Sequence, residues 1–554
     1  MKLRLFLIAL TAIGSVFSFS ALAQSYSITN ARIVTVSGPT IEKGTIVIRD
    51  GLIEAVGANA KSPADAQVFD GTGLTVYPGF FDALTNIGVQ VQTPVIRPAG
   101  GPGGGAAVAA AAATASPSNS NYPAGLRPEL VVAEDLRGGD AQFEVNRNAG
   151  FTTVLTVGRT GIFNGQSALI NLAGDSTSTV IVKSPFAEHI SFGTIPGQYP
   201  GSLLGTFSAL RQMLLDAQRL QEVQKMYAAS SKGMKRPEAD KSLEALIPVL
   251  NRQMPVVFNA NREIEIVRAL DLAKEFNLNA IIAGGQEAWK LADRLKAQKV
   301  PVLLSLNFPK RTASASAEAD AESMDLLRFR AETPKGPSRL AQAGVKFAFQ
   351  SGGMISVGDF VANAGKAVDS GLSKDEAIRA MTLASAEILG VDDRLGSLQE
   401  GKIANLTVTK GDIFAKDKRI THVFVDGKVF EQKELPIPAA GVRGGGRPIP
   451  GEPSFMAVGG NYTITIDVPG QTLNGTLALT QQGAVLTGSM QTQLGTTAIK
   501  DGKVTADGFT FSGSVEFGGT ALEIVVKGTV TGDQLTGTVD SPQGTVPLTG
   551  TRNP

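Results

Sequence analysis

Cysteine is absent from the 554 residues, which excludes disulfides, thiolate metal sites and cysteine nucleophiles together. Histidine is nearly absent as well. His189 and His422 are the only 2, so no mechanism that gathers three or four imidazoles is open to this chain. Neither sign of charge is in excess: Lys+Arg is 51 and Asp+Glu is 50, which leaves no basic face for nucleic acid or for an anionic membrane. A single Trp leaves Phe, Leu, Ile and Val to build the cores. Beyond the amino terminus there is no second long apolar run, so no transmembrane segment is expected once that terminus is removed.

What is present begins with a processing signal. Lys2 and Arg4 precede an apolar run from Leu5 to Phe19, and Ala21-Leu22-Ala23 supplies small residues before Gln24. Thr11, Gly14, Ser15, Ser18 and Ser20 make the run a poor spanning helix. Residues 1–23 therefore read as a signal peptide cleaved after Ala23, and the mature protein as periplasmic or extracellular. With no Cys following, a bacterial lipid anchor is excluded. Hydrophobic content of 43% with 18% charged residues belongs to a folded chain. At roughly 150 residues per domain its length implies several domains.

Residues 26–77 alternate short β runs with turn signals, among them the hairpin at Asp50-Gly51, and the same style returns in 395–432. Between these flanks, residues 78–394 alternate strand-like runs with helix-period segments, the pattern of a parallel α/β architecture sized for an eight-stranded (β/α)8 TIM barrel. Thr179-Val-Ile-Val-Lys183 reads as its fourth strand. A capping box of Ser373 and Glu376 starts a helix that closes at Gly390. Residues 98–122, almost wholly Gly, Ala, Pro, Ser and Asn, read as a flexible insertion, and 433–454 as a linker. Beyond it, 455–554 repeats Leu-Thr-Gly at 486, 535 and 548, which suggests about eight antiparallel strands in a small barrel or sandwich with solvated threonines.

Three stretches resemble the amidohydrolase superfamily, in its imidazolonepropionase-like branch: Ile28-Thr-Asn-Ala-Arg-Ile-Val-Thr-Val, Ile53-Glu-Ala-Val-Gly to Val76-Tyr-Pro-Gly-Phe-Phe-Asp82, and Ala384-Ser-Ala-Glu-Ile-Leu-Gly to Asp426-Gly-Lys. The resemblance covers residues 26–432. It implies a barrel beside a composite β-sandwich built from both flanks, and zinc or another divalent metal at the carboxyl ends of the barrel strands, activating water for attack on a C–N bond. The ligand positions of that family fall here on Leu84 and Asn86 (first strand), Asn259 (fifth), Gly284 (sixth) and Gly352 (eighth). None is a histidine or a carboxylate, so the metal site reads as degenerate and no cofactor is expected.

The remaining candidates are weighed on chemistry. His422 lies in a flank strand, where a structural role is favoured. His189 follows the expected fourth strand, open to a proton-donor role or to a hydrogen-bonded structural one, the latter favoured. Lys183 sits where some relatives carry a carboxylated lysine; here it reads as a plain ammonium facing an anion or Glu188. If strand ends face the mouth, then Asn86, Arg159, Lys183, His189, Asn259, Asn307 and Ser351 form a candidate pocket for a small polar or anionic ligand, with Arg159 and Lys183 as its charges. The expected function is a pseudoenzyme, an exported degenerate hydrolase acting as ligand-binding or scaffold protein. The alternative is an active hydrolase of C–N bonds with unusual or no metal ligands, and a surface-attachment role for the last module is a third.

Overall fold

The computed structural model describes residues 25–89, 122–309, 322–432 and 458–552, apart from gaps at 124, 159, 175, 194–198, 355–356 and 416–417, and seven stretches of two or three residues between 469 and 543. The signal segment, the 98–121 part of the insertion, the linker and Arg159 lie outside the described residues. Two compact units divide the chain near residue 435.

In the first unit, both flanks build one eight-stranded sheet. Strands β1 (Ser25–Ile33), β2 (Ile41–Arg49), β3 (Leu52–Gly57), β4 (Gln67–Asp70) and β5 (Leu74–Pro78) come from the amino-terminal flank. The order β18-β17-β16-β5-β1-β2-β3, with β4 on β1, joins them to β16 (Leu406–Lys410), β17 (Arg419–Val425) and β18 (Lys428–Glu431) of the other flank. The composite origin is thus seen in the pairing, which joins strands of both flanks. Both tight hairpins use Asp-Gly with positive φ at each residue, Asp50-Gly51 and Asp426-Gly427, the geometry that matches strand twist.

The barrel staves are β6 (Phe80–Thr85), β7 (Phe151–Thr156), the pair β8 (Phe163–Gln166) and β9 (Ala168–Asn171), then β11 (Glu188–Ser191), β12 (Val256–Ala260), β13 (Ala280–Gly284), β14 (Val302–Ser305) and β15 (Phe347–Gln350). β6 and β7 are parallel, β11 through β15 are parallel, and β15 packs beside β6. The expected all-parallel arrangement needs correction at the third stave, because β9 runs antiparallel to β7 and β8 antiparallel to β11. The reason is length. Residues 157–162 are too few for a parallel crossover, which takes about a dozen residues, so the chain returns in the opposite direction.

A second correction follows from it. Thr179–Lys183 is not the fourth stave: Thr177–Val180 is a helical turn, and β10 (Ile181–Lys183) is an antiparallel edge strand on β9. The fourth stave is β11, so His189 lies within it rather than after it. The helix expected to run from Ser373 to Gly390 is two, Lys374–Met381 and Leu383–Leu389, broken at Thr382, whose hydroxyl donates to the Ile378 carbonyl at 2.7 Å. Inside the barrel, Phe81, Ala83, Leu155, Leu169, Val257, Ile281, Leu303 and Ala348 form one apolar cluster beneath the mouth.

The second unit is a closed antiparallel barrel. Nine strands run from β19 (Gly460–Val468) to β27 (Gly544–Arg552), and a pairing between the second and third of them closes the ring. In each Leu-Thr-Gly repeat the leucine (Leu486, Leu535, Leu548) is buried and the threonine exposed. At Gly537 a Cβ would stand 2.2 Å from the Lys527 carbonyl oxygen, so the strands approach there only because it is glycine. Among the described residues no helix of the chain is long and apolar enough to cross a membrane.

Candidate functional site

A cavity of about 600 Å³ opens at the carboxyl ends of the staves. Leu84, Asn86, Asn259, Gly284, Gly352 and Ser351 all line it. This follows from the register: each sits within two residues of the end of a stave, where the apolar runs give way to polar side chains.

Asparagines and serines do most of the bonding in the wall. The Asn259 amide donates to Ser191 Oγ at 2.8 Å and to Asn164 Oδ1 at 3.2 Å, and the Ser191 hydroxyl donates to the same Asn164 oxygen at 2.6 Å. Asn86 donates to the Val157 carbonyl at 2.8 Å, tying the first stave to the second. Gln350 accepts from the Gly352 N–H at 2.8 Å, and Asn307, which does not line the cavity, donates to the Gly352 carbonyl at 3.1 Å. These bonds fix the backbone of the Ser351-Gly352 turn.

Asp82 is the residue that the sequence reading passed over. Among the described residues it is the one carboxylate lining the cavity, 1% exposed, and accepts from the Ser351 N–H at 2.9 Å and the Leu84 N–H at 3.3 Å. Burial pushes its pKa up to about 6, while the hydrogen bonds from Ser351 and Leu84 pull the other way. Its signal in the sequence was its place two residues before the first of the degenerate ligand positions.

Two further candidates fall elsewhere. Lys183 is absent from the cavity wall. Its Nζ donates to the carbonyl oxygens of Leu389 (3.1 Å) and Gly390 (3.4 Å), where it caps the end of the helix Leu383–Leu389. Nor does it pair with Glu188, which is fully buried with neither carboxylate oxygen hydrogen-bonded among the described residues. His189 is also fully buried, both ring nitrogens unpartnered among those residues, so the expected hydrogen-bonded structural histidine is not what stands there. Burial alone drives its pKa down to about 3, so the ring is neutral. His422 sits in β17, edge-on to Phe69 at 5.3 Å, in a structural setting.

The donor set does not fit a divalent ion. Leu84 offers no donor atom, Asn86 and Asn259 offer only neutral amide oxygens, and among the described residues no three His, Asp or Glu side chains converge. The two glycines are more than missing ligands. A Cβ at Gly352 would lie 2.0 Å from Ser305 Oγ, and one at Gly284 2.4 Å from Asn261 Oδ1, with φ of +61° and +95°. Neighbouring polar side chains fill the room that a ligand side chain would need.

Residues 315–430 match the sequence model of the Amidohydrolase family. No curated protein matches the chain. An amidohydrolase from Thermotoga maritima shares the shape with a TM-score of 0.61 at 24% identity, over 74% of this chain and 100% of that one. A Xaa-Pro dipeptidase with methionine bound in its active site (TM-score 0.44, 17% identity, 74% and 100%) and the ochratoxinase of A. niger (0.41, 15%, 74% and 96%) are more distant in shape. Only the first is close enough to speak for the fold. The family match in sequence is confined to residues 315–430, and the likeness to the Thermotoga maritima structure is one of fold.

Proposed function

We propose that this is an exported amidohydrolase-fold protein of the imidazolonepropionase-like branch that has lost its metal site and holds a small polar ligand at the barrel mouth, as a ligand-binding or scaffold protein. The observation that carries the reading is the Ser305 hydroxyl, which stands where a side chain at Gly352 would begin. A simple loss of ligands would leave the position open to a side chain; here one would meet both the Ser305 hydroxyl and a φ of +61°. The wall of amides and hydroxyls suits a ligand rich in carbonyl and hydroxyl groups, because each buried polar group of the ligand must find a partner. Elemental analysis of protein purified without tag or chelator should find less than about a tenth of an equivalent of transition metal. One Zn²⁺ per chain retained through dialysis overturns the reading. Export is tested separately: the mature chain should begin at Gln24, and secreted protein that keeps Met1 would refute it.

A second reading, metal-free hydrolysis of C–N bonds, is favoured by Asp82. A carboxylate with a pKa of about 6, lining the cavity, is poised as a general base near neutral pH. A panel of amides incubated with wild type and Asp82→Asn decides it. Turnover by the wild type that the variant abolishes establishes this reading, and no turnover removes it.

A further inference from the structure

Beside the mouth lies a second chamber of about 610 Å³ that shares Ser191, Asn259 and Asn261 with it. Its other wall is of different chemistry. Arg268, half-buried on the helix Glu263–Glu275, lines it, as do Phe192 and Leu203. The Phe192 ring is packed in place, 4.7 Å from Phe207 and stacked at 6.0 Å on Phe258.

The guanidinium of Arg268 has no acidic partner on its own helix. Glu263 is paired with Lys290, Asp271 with Arg294 and Glu275 with Arg211. Glu265 lines the chamber too, but its carboxylate is turned to the start of the helix, accepting from the N–H groups of Asn261 (2.8 Å) and Arg262 (3.0 Å). The Phe207 ring, with its centroid 5.9 Å from Arg268 Cζ, is at the outer limit of a cation–π contact and does not satisfy the five N–H donors. A half-buried fork, unpaired among the described residues and beside a fixed phenyl ring, is the arrangement that recognises a carboxylate attached to an apolar group.

The geometry points to this chamber as a binding site for a small amphipathic monocarboxylate, its anion met by Arg268 and its apolar group laid on Phe192 and Leu203. Any polar extension reaches Asn259 and the mouth. Arg268 carries here the kind of charge expected of Lys183, which lies away from the mouth. The inference goes beyond the mouth reading, since Asn259 belongs to both chambers and Arg268 only to this one.

The test compares two probes of one shape, 3-phenylpropanoate and 3-phenylpropanamide, by calorimetry or ligand-observed NMR on the full chain. Wild type should bind the acid about ten- to a hundred-fold more tightly than the amide, the usual loss when a charged hydrogen bond is removed. Arg268→Met, which keeps the apolar stem, should bring the acid to the level of the amide and leave the amide and the melting temperature unchanged. Arg268→Lys should keep part of the preference, and Phe192→Ser should weaken both probes. Equal affinities in wild type, a preference that survives Arg268→Met, or no binding of either probe overturns the inference. Asn259→Leu separates it from the mouth reading. If that variant keeps the acid preference and changes the binding of no polar ligand, the mouth reading fails and this chamber stands.

Discussion

Each unit closes a β structure on itself, and the two fill the enclosed space in opposite ways. The carboxyl-terminal barrel is packed with Tyr462, Ile464, Leu477, Phe511, Val526, Leu535 and Leu548, all at most 1% exposed. The larger barrel is apolar only in its lower layers. At or next to their mouth ends the staves carry Thr85, Asn259, Ser305 and Gln350, around open space. A close-packed apolar interior is complete in itself, since every contact it needs comes from the chain. An open polar interior is incomplete, for its amides and hydroxyls must be met by one another, by water or by a ligand. Among the described residues the larger barrel leaves polar groups around open space at its mouth, whereas the small barrel fills its interior with its own apolar side chains.

The largest effect that would break this comparison is expected in the small barrel. Phe511→Ala removes a ring that is 1% exposed from a core with no slack, and should cost about 3–5 kcal/mol. Denaturant unfolding should show the transition of that unit lost or shifted, with ligand binding to the barrel unit unaltered. A change below about 1 kcal/mol would mean the interior can collapse around the gap and is looser than its packing implies.

How much of this was legible in the sequence differs by residue. Pro78 to Asn86 placed Leu84 and Asn86 at the mouth, because alternation along a strand and the end of an apolar run are written in consecutive residues. Asn259, Gly284 and Gly352 were located by the same ends of apolar runs. The fourth stave was not legible. Glu188-His-Ile-Ser191 has two ionisable residues in four and no strand signature, whereas Thr179-Val-Ile-Val-Lys183 has the signature without the role. Tertiary burial overrode local pattern. Arg268 was hidden for another reason: an arginine on an amphipathic helix is ordinarily a solvated face, and only the folded chain shows that its acidic neighbours are engaged elsewhere.

Below the mouth, β11 sharpens the contrast between a polar interior that is satisfied and one that is not. Glu188 and His189 are both fully buried and both unpartnered among the described residues. Their pH demands oppose each other. The pKa of His189 falls from 6.5 to about 3 on folding, so its stabilising contribution is whole above pH 6.5 and is lost as pH falls toward 3. Burial, followed by the neighbouring Glu129 charge, raises that of Glu188 well above 4.5, so its contribution is whole below pH 4.5 and is lost as pH rises through the folded value. Wild-type stability therefore hides each slope behind the other. Measured against wild type, His189→Leu should gain about 2 kcal/mol of relative stability on going from pH 7 to pH 5, whatever its offset from packing. Glu188→Gln should gain in the opposite direction, from pH 5 to pH 7. Parallel pH profiles for wild type and His189→Leu would mean that a partner for the imidazole exists in solution.

The smallest effect concerns Lys183, and it decides which of two regions that side chain serves. As an end cap on the helix Leu383–Leu389, its ammonium meets the negative end of the helix dipole and two carbonyl oxygens, with the Phe186 ring 5.2 Å away. Such a contact is worth about 0.3–1 kcal/mol. Lys183→Met keeps the aliphatic stem against Phe186 and removes only the charge, so stability should fall by about that amount and part of the loss should vanish in high salt. Ligand affinity at the mouth should not move, because nothing in the cavity wall depends on this residue. The reverse outcome, weakened binding of an anionic ligand at unchanged stability, would return Lys183 to the mouth and would require the edge strand β10 to rearrange when ligand binds.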